Sequence, residues 1–331
     1  MAIGKSGGAQ AALELGHPGH LPHAKYERLI AKATQLPPVN TVVAHPCDET
    51  SLRGAVEAAA AGLIVPILVG PTDKIKAAAQ KGGIDISRYE IVDAEHSEGA
   101  SAKAVQLIHQ AKAEVLMKGS LHTDELMRAV TASATGLRTA RRISHVFVMD
   151  VPTHSETLFI TDAAINIFPD LDVKRDIVQN AIDLFTSVGL GTPRVAILSA
   201  VETVTSKIPS TIEAAALCKM ADRGQITGGL LDGPLAFDNA IDPEAARIKG
   251  IESDVAGRAQ ILVVPDLEAG NMLAKNLSFM AKADAAGIVL GARVPIVLTS
   301  RADSVRSRLA SCAVAVLFAA ARRRSAALPA A

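Results

Sequence analysis

Short apolar runs alternate with longer amphipathic segments along most of the chain. The runs Thr41–Ala44, Leu63–Val69, Tyr89–Val92, Glu114–Met117, Val146–Met149, Thr157–Ile160, Arg194–Leu198, Gly228–Leu231, Ile261–Val264, Gly287–Leu290 and Val294–Leu298 read as strands. Between them, Glu49–Ala61, Ser97–Ala113, Val173–Val188 and Leu267–Ala285 carry helical spacing. The strands are continuously apolar rather than alternating, and helices separate them. That combination predicts an α/β protein whose mostly parallel sheets are covered by helices. One pair breaks the rule. HVFVMD and TLFITD are separated only by Val151–Glu156, too short for a parallel crossover, so they are expected to form an antiparallel hairpin. The change of pattern places a domain boundary near residues 140–150. Residues 1–24, rich in Gly, His, Pro and Ser, read as a loose arm.

Composition narrows the function classes. The chain has 331 residues, enough for one large or two ordinary domains. Lys plus Arg equals Asp plus Glu at 34 each, which argues against a general nucleic-acid binder. Aromatic residues make up 3% and Trp is absent, so the core must be aliphatic and base-stacking platforms are not expected. Cys47, Cys218 and Cys312 are widely spaced, without zinc or redox spacing, and read as reduced thiols in a cytoplasmic protein. The N-terminus lacks the apolar stretch of a signal peptide. The run CAVAVLFAAA is ten residues long, against roughly 20 for a membrane span, and reads as a buried helix.

Ligands of open α/β sheets bind beyond the carboxyl ends of strands, where helix N-termini attract anions. Four strand ends therefore matter. In LMKGSLHTDELMRAV, Lys118-Gly119-Ser120 forms a small loop, Thr123 or Asp124 is placed to cap a helix, and Arg128 lies about a turn into it. A phosphate site and an ordinary capped helix both fit. In ITDAAINIFPD, Asp162 and Asn166 suit a capped turn as well as a site. In VVPDLEAGNMLAKNL, Asp266 is a natural N-cap, yet Gly270 and Asn271 are poor helix formers just inside the helix. Their presence calls for a close approach or a polar contact. In VLTSRADSVRSR, Thr299, Ser300 and Arg301 sit at a strand end, Asp303 or Ser304 can cap the next helix, and Arg306 and Arg308 are expected to face solvent. Cys47 follows His45 at another strand end, where a semi-buried, inert thiol is the simpler reading.

The ordered set HPCDETSLRGAVEAAAAGLIVPILVGP, KGSLHTDELMRA, SHVFVMD, ITDAAINIFPD, PRVAILSA, LDGPLAFDNAI, SDVAGRAQILVVPDLEAGNMLAKNL and PIVLTSRADS resembles the phosphate acetyltransferase and phosphate butyryltransferase family over roughly residues 40–310. The resemblance implies a two-domain α/β fold like isocitrate and isopropylmalate dehydrogenases, with the active site in the cleft between domains. Residues 25–145 plus 286–331 would form the first domain, and 146–285 the second, inserted one, through which the family dimerises. The implied reaction is acyl-CoA plus phosphate giving acyl phosphate plus CoA. It implies coenzyme A as substrate, no cofactor, no metal at the reacting centre, a homodimer, and no nucleic-acid or membrane partner.

Residue by residue, the resemblance implies that Ser300 donates to the developing oxyanion or the thiol and that Arg301 holds the phosphoryl group. It places Arg128 at phosphate beside Ser120 and Thr123, and Asp266, Gly270 and Asn271 at the cleft. One position departs from the pattern. Seven residues after the Ser, acetyltransferases carry an Asp proposed as the base for the CoA thiol; here it is Ser307. Either Asp303 takes that role, or Arg301 and the helix dipole activate the thiol without a carboxylate. The departure shifts the expected substrate somewhat away from strict acetyl. The competing readings are an NAD(P)-dependent dehydrogenase on the same fold and a catalytically weakened protein that binds acyl-CoA or acyl phosphate.

Overall fold

The computed structural model describes residues 23–298 and 303–327. Its strands are β1 (Val39–Ala44), β2 (Ile64–Gly70), β3 (Glu90–Asp93), β4 (Val115–Lys118), β5 (Ser144–Asp150), β6 (Leu158–Thr161), β7 (Arg194–Leu198), β8 (Leu230–Leu235), β9 (Ile261–Val263), β10 (Asp284–Leu290) and β11 (Ile296–Val297). The helices are α1 (Ala24–Ala33), α2 (Glu49–Ala60), α3 (Thr72–Gly82), α4 (Ser97–His109), α5 (Thr123–Thr131), α6 (Leu171–Ser187), α7 (Pro209–Asp222), α8 (Phe237–Ile241), α9 (Pro243–Ile248), α10 (Leu267–Met280) and α11 (Val305–Ala327).

Every strand-like run becomes a strand, and all join one sheet in the order β3-β2-β1-β4-β11-β10-β5-β6-β9-β7-β8. Pairing is parallel on both flanks, as buried, continuously apolar strands require. The middle is antiparallel: β5 pairs with β6 as the short connection dictates, and β10 pairs with both β5 and β11. The division points expected at 145/146 and 285/286 fall within β5 and β10, which pair with each other along their whole length.

The two faces of the sheet are covered differently. On one face a single aliphatic core runs the full width, from Leu68 and Val43 through Val146 and Val148 to Val195, under α1, α2, α6, α7 and α11. On the other face the core splits. One cluster gathers Val42, Leu116 and Ile296 under α4 and α5; the other gathers Ile160, Leu198 and Ala274. Because strand side chains alternate in direction, Val146 and Val148 feed the continuous core while His145 and Phe147 face the gap between the two halves.

Three expectations are corrected. The helix read as Leu267–Ala285 stops at Met280. Lys282 adopts φ of +57°, and Asp284 and Ala285 are taken up by β10, where pairing with Asp150 and Met149 satisfies their backbone. Neither Thr123 nor Asp124 caps α5; His122 precedes it and makes no side-chain cap. Arg308 is 7% exposed and does not face solvent. It lies over Gly54 of α2, where a Cβ would stand 2.9 Å from its Cδ. The CAVAVLFAAA run is buried within α11, and among the described residues no helix is long and apolar enough to cross a membrane.

Candidate active site

β4 and β11 are parallel neighbours, with Leu116 opposite Ile296 and Met117 opposite Val297. Their carboxyl ends therefore stand side by side, at the gap where the core divides. A cleft of about 750 Å³ opens there. The β4 side supplies Lys118, His122 and Thr123; α10 supplies Asn271 and Lys275; the start of α11 supplies Asp303, Ser304 and Ser307; His145, Phe147, Asp284 and Gly287 of β5 and β10 form its floor.

The loop after β4 is fixed by contact with the end of β1. The Gly119 N–H donates to the Ala44 carbonyl at 2.9 Å, and the Ser120 N–H donates to the His45 carbonyl at 2.9 Å. The Ser120 hydroxyl donates to the same His45 carbonyl at 2.8 Å and accepts the Cys47 N–H at 3.3 Å. Lys118 reaches back to the carbonyls of Gly119 and Leu121. Cys47 is inert: burial pushes its thiol up to about 11.

Across the cleft, Asp266 caps α10 by accepting the Ala269 N–H at 2.9 Å. Gly270 is buried where α10 meets the loop after β6, and a Cβ there would stand 2.8 Å from Val264 Cγ2 and 3.0 Å from the Asp162 carbonyl oxygen. That close approach lets the Asn271 amide donate to the Ala163 carbonyl at 3.3 Å while lining the cleft. Asp162 itself accepts the N–H groups of Ala164, Ile165 and Asn166, so it organises a turn. Burial pushes its carboxyl up.

At the start of α11 the cap is Ser304. Its hydroxyl oxygen accepts the Ser307 N–H at 3.1 Å, and its carbonyl accepts the Arg308 N–H. Asp303 thus stands just before the capping residue, among the residues that line the cleft. The Arg308 guanidinium donates to the Asp303 carbonyl at 2.6 Å, tying this segment to the helix behind it.

Of the residues singled out in the sequence, Thr123, Asn271 and Asp303 meet in the cleft. Ser120, Asp266 and Gly270 shape its walls from behind. Arg128 is exposed and lines a separate cavity of about 730 Å³ between α4 and α5, beside Glu98, Glu125 and His109. Ser300 and Arg301 lie outside the described residues. Sequence reasoning passed over His145. It is a lone histidine inside an apolar strand, and its only signal was its polarity at a strand position. Burial pushes it down to about 3, so the ring is neutral. Asp284 was also missed; it is held by His23 at 2.6 Å and by Arg306 at 3.5 Å.

The family described as "Phosphate acetyl/butaryl transferase" matches residues 97–316. The chain belongs to this family. A phosphate acetyltransferase from Rhizobium meliloti is 76% identical over 300 residues, covering 91% of this chain and 95% of the relative. A phosphate butyryltransferase from Clostridium beijerinckii is 40% identical over 295 residues, 89% of this chain and 98% of the relative. Among solved structures, a branched-chain phosphotransacylase from Enterococcus faecalis V583 superposes with a TM-score of 0.74 at 28% identity, covering 85% of this chain and 99% of that one. A 4-hydroxythreonine-4-phosphate dehydrogenase from Burkholderia phymatum shares the fold alone, with a TM-score of 0.52 at 13% identity over 86% of this chain and 98% of that one.

Proposed function

We propose that this phosphate acyltransferase works on acetyl in preference to longer acyl groups, catalysing acetyl-CoA plus phosphate to acetyl phosphate plus CoA in the cleft beyond β4 and β11. The observation that carries the site is the convergence of both strand ends on one cavity with cations on opposite walls, Lys118 from β4 and Lys275 from α10. Phosphate and the CoA diphosphate need such partners. The preference for acetyl rests on the 76% identity to a phosphate acetyltransferase against 40% to a butyryltransferase, and it revises the expectation drawn from Ser307.

In the direction of acetyl-CoA synthesis, Asp303 takes the thiol proton as sulphur attacks the acyl carbon, and returns it to the departing phosphate. Ser304 supports this assignment by taking over the cap of α11. Ser300 and Arg301 complete the site as oxyanion or thiol donor and phosphoryl clamp, with Ser120 and Thr123 on the β4 side. Arg128, which the resemblance assigns to phosphate, lines the cavity between α4 and α5. The protein works in the cytoplasm as a homodimer of two-domain subunits, joined through residues 146–285, with no cofactor beyond its substrates.

Incubation with acetyl-, propionyl- and butyryl-CoA in the presence and absence of phosphate tests this. Phosphate-dependent release of free thiol, highest in kcat/KM for acetyl-CoA, is expected. No release with any short acyl-CoA would leave a binding protein rather than an enzyme, and a higher value for butyryl-CoA would reverse the chain-length assignment.

A further inference from the structure

His145 is 2% exposed, and what it exposes lies on the cleft floor. Phe147 packs edge-on against its ring at 4.4 Å between centroids. Gly287 lies against its other end: a Cβ at Gly287 would stand 3.0 Å from Nε2 and 2.8 Å from the Leu298 carbonyl oxygen. Nδ1 is sealed from solvent and has no hydrogen-bond partner. A buried polar atom left in this state costs stability, and its persistence calls for a reason.

The neutral ring carries one proton, and its position follows from burial. Nδ1 has nothing to donate to, and orphaned buried N–H donors are rarer in proteins than orphaned acceptors. The proton therefore sits on Nε2, beside the glycine, with the bare lone pair of Nδ1 turned into the protein.

Acyl transfer makes three polar demands: charge for the phosphoryl group, a proton path for the thiol, and a donor for the oxygen that becomes an oxyanion. Among the described residues, the charged and titratable groups lining the cleft beside His145 are Lys118, His122, Lys275, Asp284 and Asp303. The lysines suit phosphate, and the carboxylates repel an oxyanion. Ser304 donates its hydroxyl proton to Ser307 Oγ at 3.2 Å and one Asn271 N–H goes to the Ala163 carbonyl, which leaves the hydroxyls of Thr123, Ser278 and Ser307 as further donors lining the cleft. His145 differs from these in being held on the floor between Phe147 and Gly287.

We propose that His145 is a catalytic hydrogen-bond donor to the acyl oxygen, its Nε2–H stabilising the oxyanion formed when phosphate attacks the thioester or sulphur attacks the acyl phosphate. This rests on the phosphate acyltransferase reading. As the nucleophile bonds to the acyl carbon, the carbonyl electron pair moves onto oxygen. It returns as the C–S or C–O bond breaks. The imidazole keeps its proton throughout, as a neutral electrophile does.

The test compares the parent with His145→Ala and His145→Gln, whose amide nitrogen stands near the place of Nε2, and adds ¹⁵N spectra of the parent's histidines. His145→Ala should lower kcat by about 10²–10³-fold, the usual cost of one oxyanion donor, with KM for phosphate little changed. His145→Gln should recover at least about a tenth of the parent rate, by the same donor logic. The spectra should show a neutral Nε2–H tautomer from about pH 5 to 9, well above the depressed titration. An Ala variant within threefold of the parent, a folded Gln variant no better than Ala, or an imidazolium or Nδ1–H form at pH 7 would each overturn the proposal. A parent that releases no thiol would sink the acyltransferase reading itself, and the tautomer spectrum reads the ring independently of that.

Discussion

Gly119 is pressed against the end of the neighbouring strand: a Cβ on it would stand 2.4 Å from the Ala44 carbonyl oxygen, the same atom that its N–H donates to. The contact is backbone to backbone, so no side chain can rotate away to relieve it. Gly119→Ala should therefore push the loop carrying Ser120 and Thr123 outward. We expect a stability loss of about 1–3 kcal/mol and a fall in kcat/KM of about 10²-fold, the cost of a displacement near 1 Å at a reacting centre. Thermal melts and steady-state assays check both.

Asp303 and Ser304 are adjacent, yet their roles separate. Asp303→Asn should lower kcat by about 10²-fold or more, as removal of a general base does. A base must be ionised, so activity of the parent should fall with decreasing pH, and this acidic limb should vanish in the variant. Ser304→Ala should instead lower stability by about 1 kcal/mol, the loss of an N-cap, and leave the limb in place. If both variants show the parent's pH profile, another group takes the thiol proton.

Arg308 tethers the segment before α11 through the Asp303 carbonyl, while its Nε is buried without a partner. Replacing a buried, incompletely satisfied guanidinium by an apolar side chain need not destabilise the fold. Arg308→Met should therefore melt close to the parent but lose about tenfold in kcat, the equivalent of one hydrogen bond to a charged group. Equal activity in the two proteins would show that the tether is dispensable.

Acid stability should report on His145. The ring titrates at about 3 in the folded protein, against about 6.5 in the unfolded chain. Between those values the unfolded chain binds the proton and the native state does not. Stability tied to this group is therefore fully present above pH 6.5 and is lost as pH falls toward 3. The parent's melting temperature should drop more steeply from pH 6.5 to 4.5 than that of His145→Gln. Lys118, His122, Lys275, Asp284 and Asp303 are common to both proteins, so parallel slopes would mean that the imidazole is already charged in the fold.

Much of this was legible in one dimension. Val39–Ala44, Ile64–Gly70 and Val115–Lys118 had to be buried parallel strands because continuous apolar runs separated by helices have no other way to hide both faces. The six-residue connection Val151–Glu156 forced an antiparallel pair. The unusual Gly270-Asn271 inside a helix correctly signalled a close approach, and the ordered motifs carried the family. Tertiary structure alone decided which of the flagged residues share a space. Arg128 lies only a few residues after Thr123, but helical rotation turns it onto the α4 side, into a different cavity. Arg308, written among charges, is drawn inward because Gly54 on a distant helix leaves room for it. His145 became part of the site because β10 and β11, from the far end of the chain, enter the middle of the sheet and divide the core on one face only. Local periodicity specifies strands and helices, since it reflects each segment's own need to bury apolar surface. The cleft depends on contacts between segments more than a hundred residues apart, and no local pattern encodes those.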